Sequence, residues 1–315
     1  MCWTEKWECW QEVALWSTYS SLSAILMRDN SATRAKVVFL FTKLHKLPFS
    51  TLSFNISREV CGYLDSLPLY PSFSHSSMIV HDLNLGTSHT HSLSESFAWQ
   101  VTKCFIDWQT VICIAAVRQS CTIDLMTARI TLIENMHTPR DSSGVIRAGS
   151  FVYVFGGRVG EKIEWLADKY GLEDGHWQQI PSLRTPKFAF TPCKLKQQIY
   201  LAEIDSAYSS LDVFCTLSET YTSYPFETSS CMNGCVSFIS SGELVLLTIG
   251  GQRVRWNLEE MERTPLAATF ALVDDNDAYS NCEPMTVGGN MFWVNYWDGK
   301  LIKYSLTSGQ LTNAG

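Results

Sequence analysis

Short apolar runs recur along the chain, each ending in small residues and followed by a polar stretch. Five stand out: "TVICIAA" (110–116), "FVYVFGG" (151–157), "QIYLAEI" (198–204), "LVLLTIGG" (244–251) and "MFWVNYW" (291–297). Runs this short, bounded by turn residues and rich in β-branched and aromatic side chains, predict buried strands. A second signal follows each run, after about a dozen residues in the clearest copy. There an apolar or aromatic residue, a small or polar one and then leucine stand in a row. It occurs at Asp82, Asp124, Gly171, Asn257 and Ser305, and with the leucine one place late at Cys215. These anchors are separated by 42, 47, 44, 42 and 48 residues. Six residues beyond three of them stand Trp177, Tyr221 and Leu311. Threonine-proline pairs mark joints at Pro139, Pro186 and Pro265, where proline suits a connection because it has no N–H for a ladder.

A repeat of about 45 residues holding four short strands predicts a propeller blade, and six anchors predict six blades. The sequence resembles the kelch-repeat family, best over residues 136–195. There "M-x-x-P-R", an apolar strand ending in Gly156-Gly157, Tyr170 before a turn and Trp177 after it follow the kelch order. The resemblance implies an all-β, six-bladed propeller in which the glycines close the second strand and the tyrosine and tryptophan fill the space between blades. Blade two has Ala115 and Ala116 at the glycine places, blade four Glu203 and Ile204, and blade six Tyr296 and Trp297, so those copies rest on periodicity. A dinucleotide or phosphate loop behind FVYVF is excluded, because "GGRVGEKIEW" meets neither G-x-G-x-x-G nor G-x-x-x-x-G-K-[ST].

The expected propeller runs over 48–315. Its first blade lacks an evident glycine-ended strand, and "STLSFNIS" (50–57), with alternating Leu52, Phe54 and Ile56, is a candidate for the inner strand there. The last copy ends soon after Leu311, so a strand from near the N-terminus is a candidate to complete it. Residues 1–47 predict a helical extension, with Thr4 as cap and Trp3, Trp7, Trp10 and Ala14 at helical spacing. The extension either packs on the ring or serves as a dimerisation or adaptor segment.

Composition narrows the function. Of 315 residues, 46% are hydrophobic, enough for a large core, and the net charge is −7, which argues against a general nucleic-acid binder. The first ten residues, "MCWTEKWECW", are unlike a signal peptide, and no run is long and apolar enough to span a bilayer. Eleven irregularly spaced cysteines do not suggest a disulfide framework. The expectation is a cytoplasmic protein with reduced thiols, binding neither nucleic acid nor membrane.

Chemistry is sparse. His89 and His91 share one face of a strand but lack further ligands, and Cys231 and Cys235 lack zinc-ribbon spacing. "DDND" (274–277) lacks the glycine and glutamate of a calcium loop. No nucleophile elbow or zinc-protease motif occurs. No catalytic, metal or cofactor residue is therefore assigned. Arg118, Arg158 and Arg253 follow the glycine-pair position in blades two, three and five. In equivalent loops they would form a basic rim for an acidic peptide; equally, short polar loops often carry arginine without such a role. The reading is a non-catalytic protein-interaction module, a kelch-type scaffold or adaptor. The alternatives are a substrate-recognition subunit of a ubiquitin ligase and, from another class, a propeller enzyme of sialidase or galactose-oxidase type.

Overall fold

The computed structural model describes most of residues 69–314. Residues 1–68 lie outside the described residues, as do shorter connections, the longest being 94–101, 204–209, 226–234 and 270–283. The expected N-terminal helices and the 50–57 segment are therefore outside the described residues, as are "DDND" and Cys231. Contacts divide the chain after Leu67, and Pro68–Gly315 is one compact unit.

That unit is all-β, a six-bladed propeller. Blade one holds β1 (Leu69–Phe73), β2 (Ser77–Asp82) and β3 (Thr87–Ser92). Blade two holds β4 (Thr102–Phe105), β5 (Thr110–Ile114), β6 (Cys121–Asp124) and β7 (Ile130–Leu132). Blade three holds β8 (Gly144–Ala148) and β9 (Phe151–Phe155), an inserted hairpin β10 (Arg158–Val159) and β11 (Lys162–Ile163), then β12 (Ala167–Gly171) and β13 (Trp177–Ile180). Blade four comprises β14 (Cys193–Leu195), β15 (Gln198–Glu203), β16 (Ser210–Cys215) and β17 (Thr220–Pro225). Blade five comprises β18 (Cys235–Ser240), β19 (Glu243–Thr248), β20 (Gln252–Asn257) and β21 (Glu262–Thr269). Blade six comprises β22 (Met285–Val287), β23 (Asn290–Val294), β24 (Leu301–Ser305) and β25 (Leu311–Asn313). Each sheet is an antiparallel meander; in blades two to six the strands lie in chain order from first to fourth, the inserted hairpin set aside. First strands of successive blades meet, β4 with β8, β8 with β14 and β14 with β18. They are the innermost.

The sequence repeat is a repeat of register. Every anchor faces the first residue of its blade's second strand: Asp82 with Leu69, Asp124 with Thr110, Gly171 with Phe151, Cys215 with Gln198, Asn257 with Glu243, Ser305 with Asn290. The residue before each anchor faces the one six beyond it, giving His81–Ser88, Ile123–Ile130, Tyr170–Trp177, Phe214–Tyr221, Trp256–Arg263 and Tyr304–Leu311. Blade one obeys both rules. Its β1, β2 and β3 thus occupy the second, third and fourth places, and its innermost strand has no counterpart among the described residues.

Alternation within each strand builds the core. Val152 and Val154 of β9 pack toward blade two with Ile112, Ile114 and Cys104, while Tyr153 and Phe155 of the same strand pack toward blade four with Ile199, Leu201 and Phe214. A strand buried on both faces reads as a continuous apolar run, which is why FVYVF carries no polar residue. Met78 and Val80 meet Val111 and Ile123 between blades one and two. Tyr70 meets Phe292, Val294 and Leu301 between blades one and six, and so the ring closes by packing.

Three expectations need correction. Among the described residues all four strands of blade six come from the C-terminal end, so that sheet has its four strands without one from near the N-terminus; three residues of β25 suffice because Leu311 reaches the inter-blade core. Pro265 is not in a joint but in β21, the outermost strand of blade five, facing Val254. An edge position leaves its missing N–H without consequence. Trp177 and Tyr221, at equivalent places in the repeat, are both expected to be largely buried between blades; Tyr221 is only half-buried, its hydroxyl donating to the Pro181 carbonyl at 2.9 Å, whereas Trp177 is 6% exposed and its indole N–H donates to the Glu134 carbonyl at 2.7 Å.

The turns explain the late leucine of blade four. The residue after the anchor donates its N–H to the turn between first and second strands: Leu172 to Ser150, Thr216 to Gln197, Leu258 to Gly242, Leu306 to Gly289. Leucine there packs against the inter-blade core, as Leu172, Leu258 and Leu306 do. Leu217, one place late, is instead 76% exposed. Among these turns Lys196 occupies a left-handed conformation, φ 55°, at the place where blade three has Gly149 with φ 64°. Lys196→Gly is expected to raise stability by about 0.5–1 kcal/mol, since relief of left-handed strain outweighs the added chain entropy. Chemical unfolding of the two proteins checks this; a lower midpoint for the variant would count against the assigned turn.

Candidate functional site

The connections between second and third strands, and those between blades, lie at one end of the propeller; the turns between first and second strands lie at the other. Most second-to-third connections are short: 74–76, 115–120, 204–209, 249–251 and 295–300. Blade three runs longer, over 156–166, and folds into the β10–β11 hairpin.

Glycine starts it. Gly156 and Gly157 follow β9 with φ 58° and 107°, a region that side chains disfavour. A Cβ on Gly156 would collide with the Lys187 carbonyl, and one on Gly157 would meet the Ser143 hydroxyl and the Asp141 carbonyl. The space goes to backbone. Gly157 donates to the Lys187 carbonyl at 2.7 Å, Arg158 to Asp141 at 2.8 Å, and Asp141 back to Arg158 at 3.0 Å. Leu183 donates to the Trp165 carbonyl at 2.8 Å. The hairpin is thereby fastened to the inter-blade connections on both sides.

Two buried cations brace the same connections. Arg140, within Thr138-Pro139-Arg140, has a side chain with no exposed surface; its Nη2 lies 2.7 Å from Asp168 Oδ2 and its Nε donates to the Gly156 carbonyl at 2.6 Å. Lys187, within Thr185-Pro186-Lys187, repeats the arrangement one blade on, with Asp212 at 3.4 Å and the Ser210 hydroxyl at 2.7 Å. Asp168 and Asp212 each stand three residues before their anchor, so the two threonine-proline joints deliver equivalent cations to equivalent acids.

On this braced hairpin two apolar side chains face solvent, Val159 at 40% and Trp165 at 52% exposure. Arg158 lays its guanidinium 5.2 Å from the Phe188 ring centre, and its buried Nε has no hydrogen-bond partner among the described residues. Lys162 pairs with Glu164 at 2.7 Å, and Arg184 is exposed beside the Leu183–Trp165 contact. Of the three arginines singled out from sequence, Arg158 sits in the expected connection, Arg118 lies outside the described residues, and the backbone of Arg253 lies within β20, facing Leu247 and Leu266. Sequence reasoning missed Trp165. Its one signal is an aromatic residue closing a charge-rich stretch, "RVGEKIEW".

One group has the look of chemistry. In blade one His81 Nε2 lies 3.0 Å from Ser72 Oγ, and its Nδ1 lies 2.9 Å from Ser88 Oγ. Burial, reinforced by Lys103, holds the imidazole below its ordinary pKa. A hydroxyl stands where a catalytic triad has its carboxylate, and Ser72 is 4% exposed. The array ties three strands together. His89 and His91 lie on β3, the outer strand of that blade.

At the opposite end Cys215 is the chemically distinctive group. The Ser218 hydroxyl and the backbone N–H groups of Ser218 and Leu217 hold its thiol below the ordinary pKa. It is half-buried, whereas Cys104, Cys113, Cys121 and Cys193 are buried. Iodoacetamide is expected to label Cys215 first among these five, and Ser218→Ala to slow that labelling; equal labelling of all five, read by mass spectrometry, would contradict it.

No known family matches the chain, and no curated protein matches it. Solved structures do: 1276 chains match, so the fold is common and by itself names no activity. One is a chain of a nidogen/laminin complex, similar at 10% sequence identity and a TM-score of 0.56 over 78% of this chain and 91% of that one. At such identity the likeness is one of fold.

Proposed function

We propose that this propeller is a non-catalytic, kelch-type interaction module of the cytoplasm that binds an acidic protein segment through the blade-three hairpin. The observation that carries the reading is Trp165, half exposed on a hairpin that backbone hydrogen bonds hold on both sides. Tryptophan and arginine dominate binding hot spots, and a rigid support lowers the entropy lost on association. Arg158 and Lys162 lie on the same connection as Trp165, and Arg184 follows Leu183, whose N–H donates to the Trp165 carbonyl; on a protein of net charge −7 these cations favour an acidic partner with an apolar anchor. The kelch assignment draws on Gly156-Gly157 closing β9 and on the Tyr170–Trp177 pair. The solved neighbour comes from a complex between two proteins, in keeping with a binding role.

The test is affinity capture on the immobilised full chain, quantified for wild type, Trp165→Ala, Arg158→Glu and Leu217→Ser. Trp165→Ala is expected to weaken retention of an acidic partner about tenfold or more, as a hot-spot loss does, with little change in melting temperature. Arg158→Glu should slow association most at low salt. Leu217→Ser, at the other end, should retain the partner. Loss on Leu217→Ser with retention on Trp165→Ala would move the binding surface to the opposite end. Turnover by the wild-type protein in a hydrolase and oxidase screen would replace the reading with a catalytic one.

A further inference from the structure

We propose that Cys113 and Cys121 form a reversible dithiol–disulfide pair at the end of the β5–β6 ladder. The two are direct register partners: Cys113 of β5 faces Cys121 of β6. They point to the same side of the sheet, because both belong to the cluster with Val111, Ile123, Met78 and Val80 between blades one and two. The other cysteines of the described strands face residues of other types, Cys104 with Ile112, Cys193 with Tyr200, Cys215 with Thr220 and Cys235 with Thr248. Cys104 lies in the cluster on the other side of blade two.

Facing residues on neighbouring antiparallel strands hold their Cβ atoms about 4.5–5.5 Å apart. A disulfide requires about 3.5–4.5 Å. The strands must therefore draw together by roughly 1 Å, and the resulting bond is strained and readily reduced. That is the character of a responsive disulfide rather than a permanent staple. Both thiols are 1% exposed, so reaction waits on local opening. Their place favours it: Cys113 is the residue before the last in β5, and Cys121 is the first in β6. Ladder ends open at far lower cost than a whole domain.

The oxidant is a low-molecular-weight disulfide such as oxidised glutathione. One cysteine thiolate attacks it, forming a mixed disulfide and releasing one thiol. The second cysteine thiolate then displaces the other thiol, and the Cys113–Cys121 bond forms. The protein gives up two electrons and two protons; the disulfide oxidant takes them as two thiols.

The test exposes the full chain to oxidised glutathione in buffer and in sub-denaturing urea, followed by alkylation and trypsin digestion. Cleavage after Arg118 places Cys113 in peptide 104–118 and Cys121 in peptide 119–129. The expected result is a linked pair of these peptides, about 2 Da lighter than the sum of the two with Cys113 and Cys121 as thiols and Cys104 alkylated. The link should persist in Cys104→Ser, vanish in Cys113→Ala and in Cys121→Ala, and be undone by reduced glutathione. Failure of the two peptides to link in wild type, even in urea, would overturn the proposal. So would a link that survives Cys113→Ala and disappears in Cys104→Ser.

Discussion

Asp168→Ala is expected to destabilise the propeller by about 3–5 kcal/mol, because it strands a buried guanidinium. Arg140 has no exposed side-chain surface, and Asp168, at 2.7 Å, is its one carboxylate partner among the described residues. Its other contacts are carbonyls: Gly156 at 2.6 Å, Thr138 at 3.2 Å, and Val154 and Leu166 at 3.4 Å. Those oxygens solvate the positive charge but do not neutralise it. A double-mutant cycle separates the cost of the broken pair from the worth of the intact one. Arg140→Met combined with Asp168→Leu should recover much of the loss, since a well-packed apolar replacement of a buried pair is often neutral. Lys187 and Asp212 are one blade away and looser, with Asp212 Oδ2 3.4 Å from the ammonium and without a hydrogen bond among the described residues. Asp212→Ala should therefore cost less than Asp168→Ala. Equal denaturation midpoints for wild type and Asp168→Ala would mean that water reaches the Arg140 guanidinium.

Gly156→Ala carries the second large effect, about 3 kcal/mol or more. Two penalties add. A left-handed conformation costs a side-chain residue about 1–2 kcal/mol. Overpacking against neighbours that cannot yield costs about 1–3 kcal/mol. The obstacle is the Lys187 carbonyl, which already accepts the Gly157 N–H, so the backbone has little room to retreat. Gly149→Ala supplies the reference: its φ is similar at 64°, but nothing lies within 4 Å of the added carbon. It should show the first penalty alone. If both variants melt together, the close approach at Gly156 is absent.

Because the repeat is a repeat of register, much of the fold is legible in the sequence. The five apolar runs overlap the second strands of blades two to six, and all six anchors end third strands, although the copies have diverged. What escaped did so for physical reasons. The second strand of blade one, "LYPSF", carries Pro71 and Ser72 in a buried strand, so its apolar run is interrupted. The burial of Ser72 is offset by its hydrogen bond to His81, a tertiary fact invisible in the pattern. Arg140 and Lys187 read as surface cations until the acids 28 and 25 residues downstream are seen to meet them. Pro265 looked like a joint because edge strands tolerate proline as readily as loops do. The hairpin bearing Trp165 escaped because two-residue strands leave no periodicity to detect. Of the proposed rim, Arg158 alone could be read from sequence, and only because it follows two glycines.

Six equivalent blades, with Leu69–Ser92 contributing second, third and fourth strands to the first, are the centre of this structure. Amide hydrogen exchange on the full-length protein, resolved by peptide, tests that arrangement most directly. A closed ring predicts that 69–73 and 77–82 exchange as slowly as 290–294 and 301–305, their neighbours across the closure. Exchange of 69–82 at the rate of an unstructured peptide, with blades two to six protected, would contradict it.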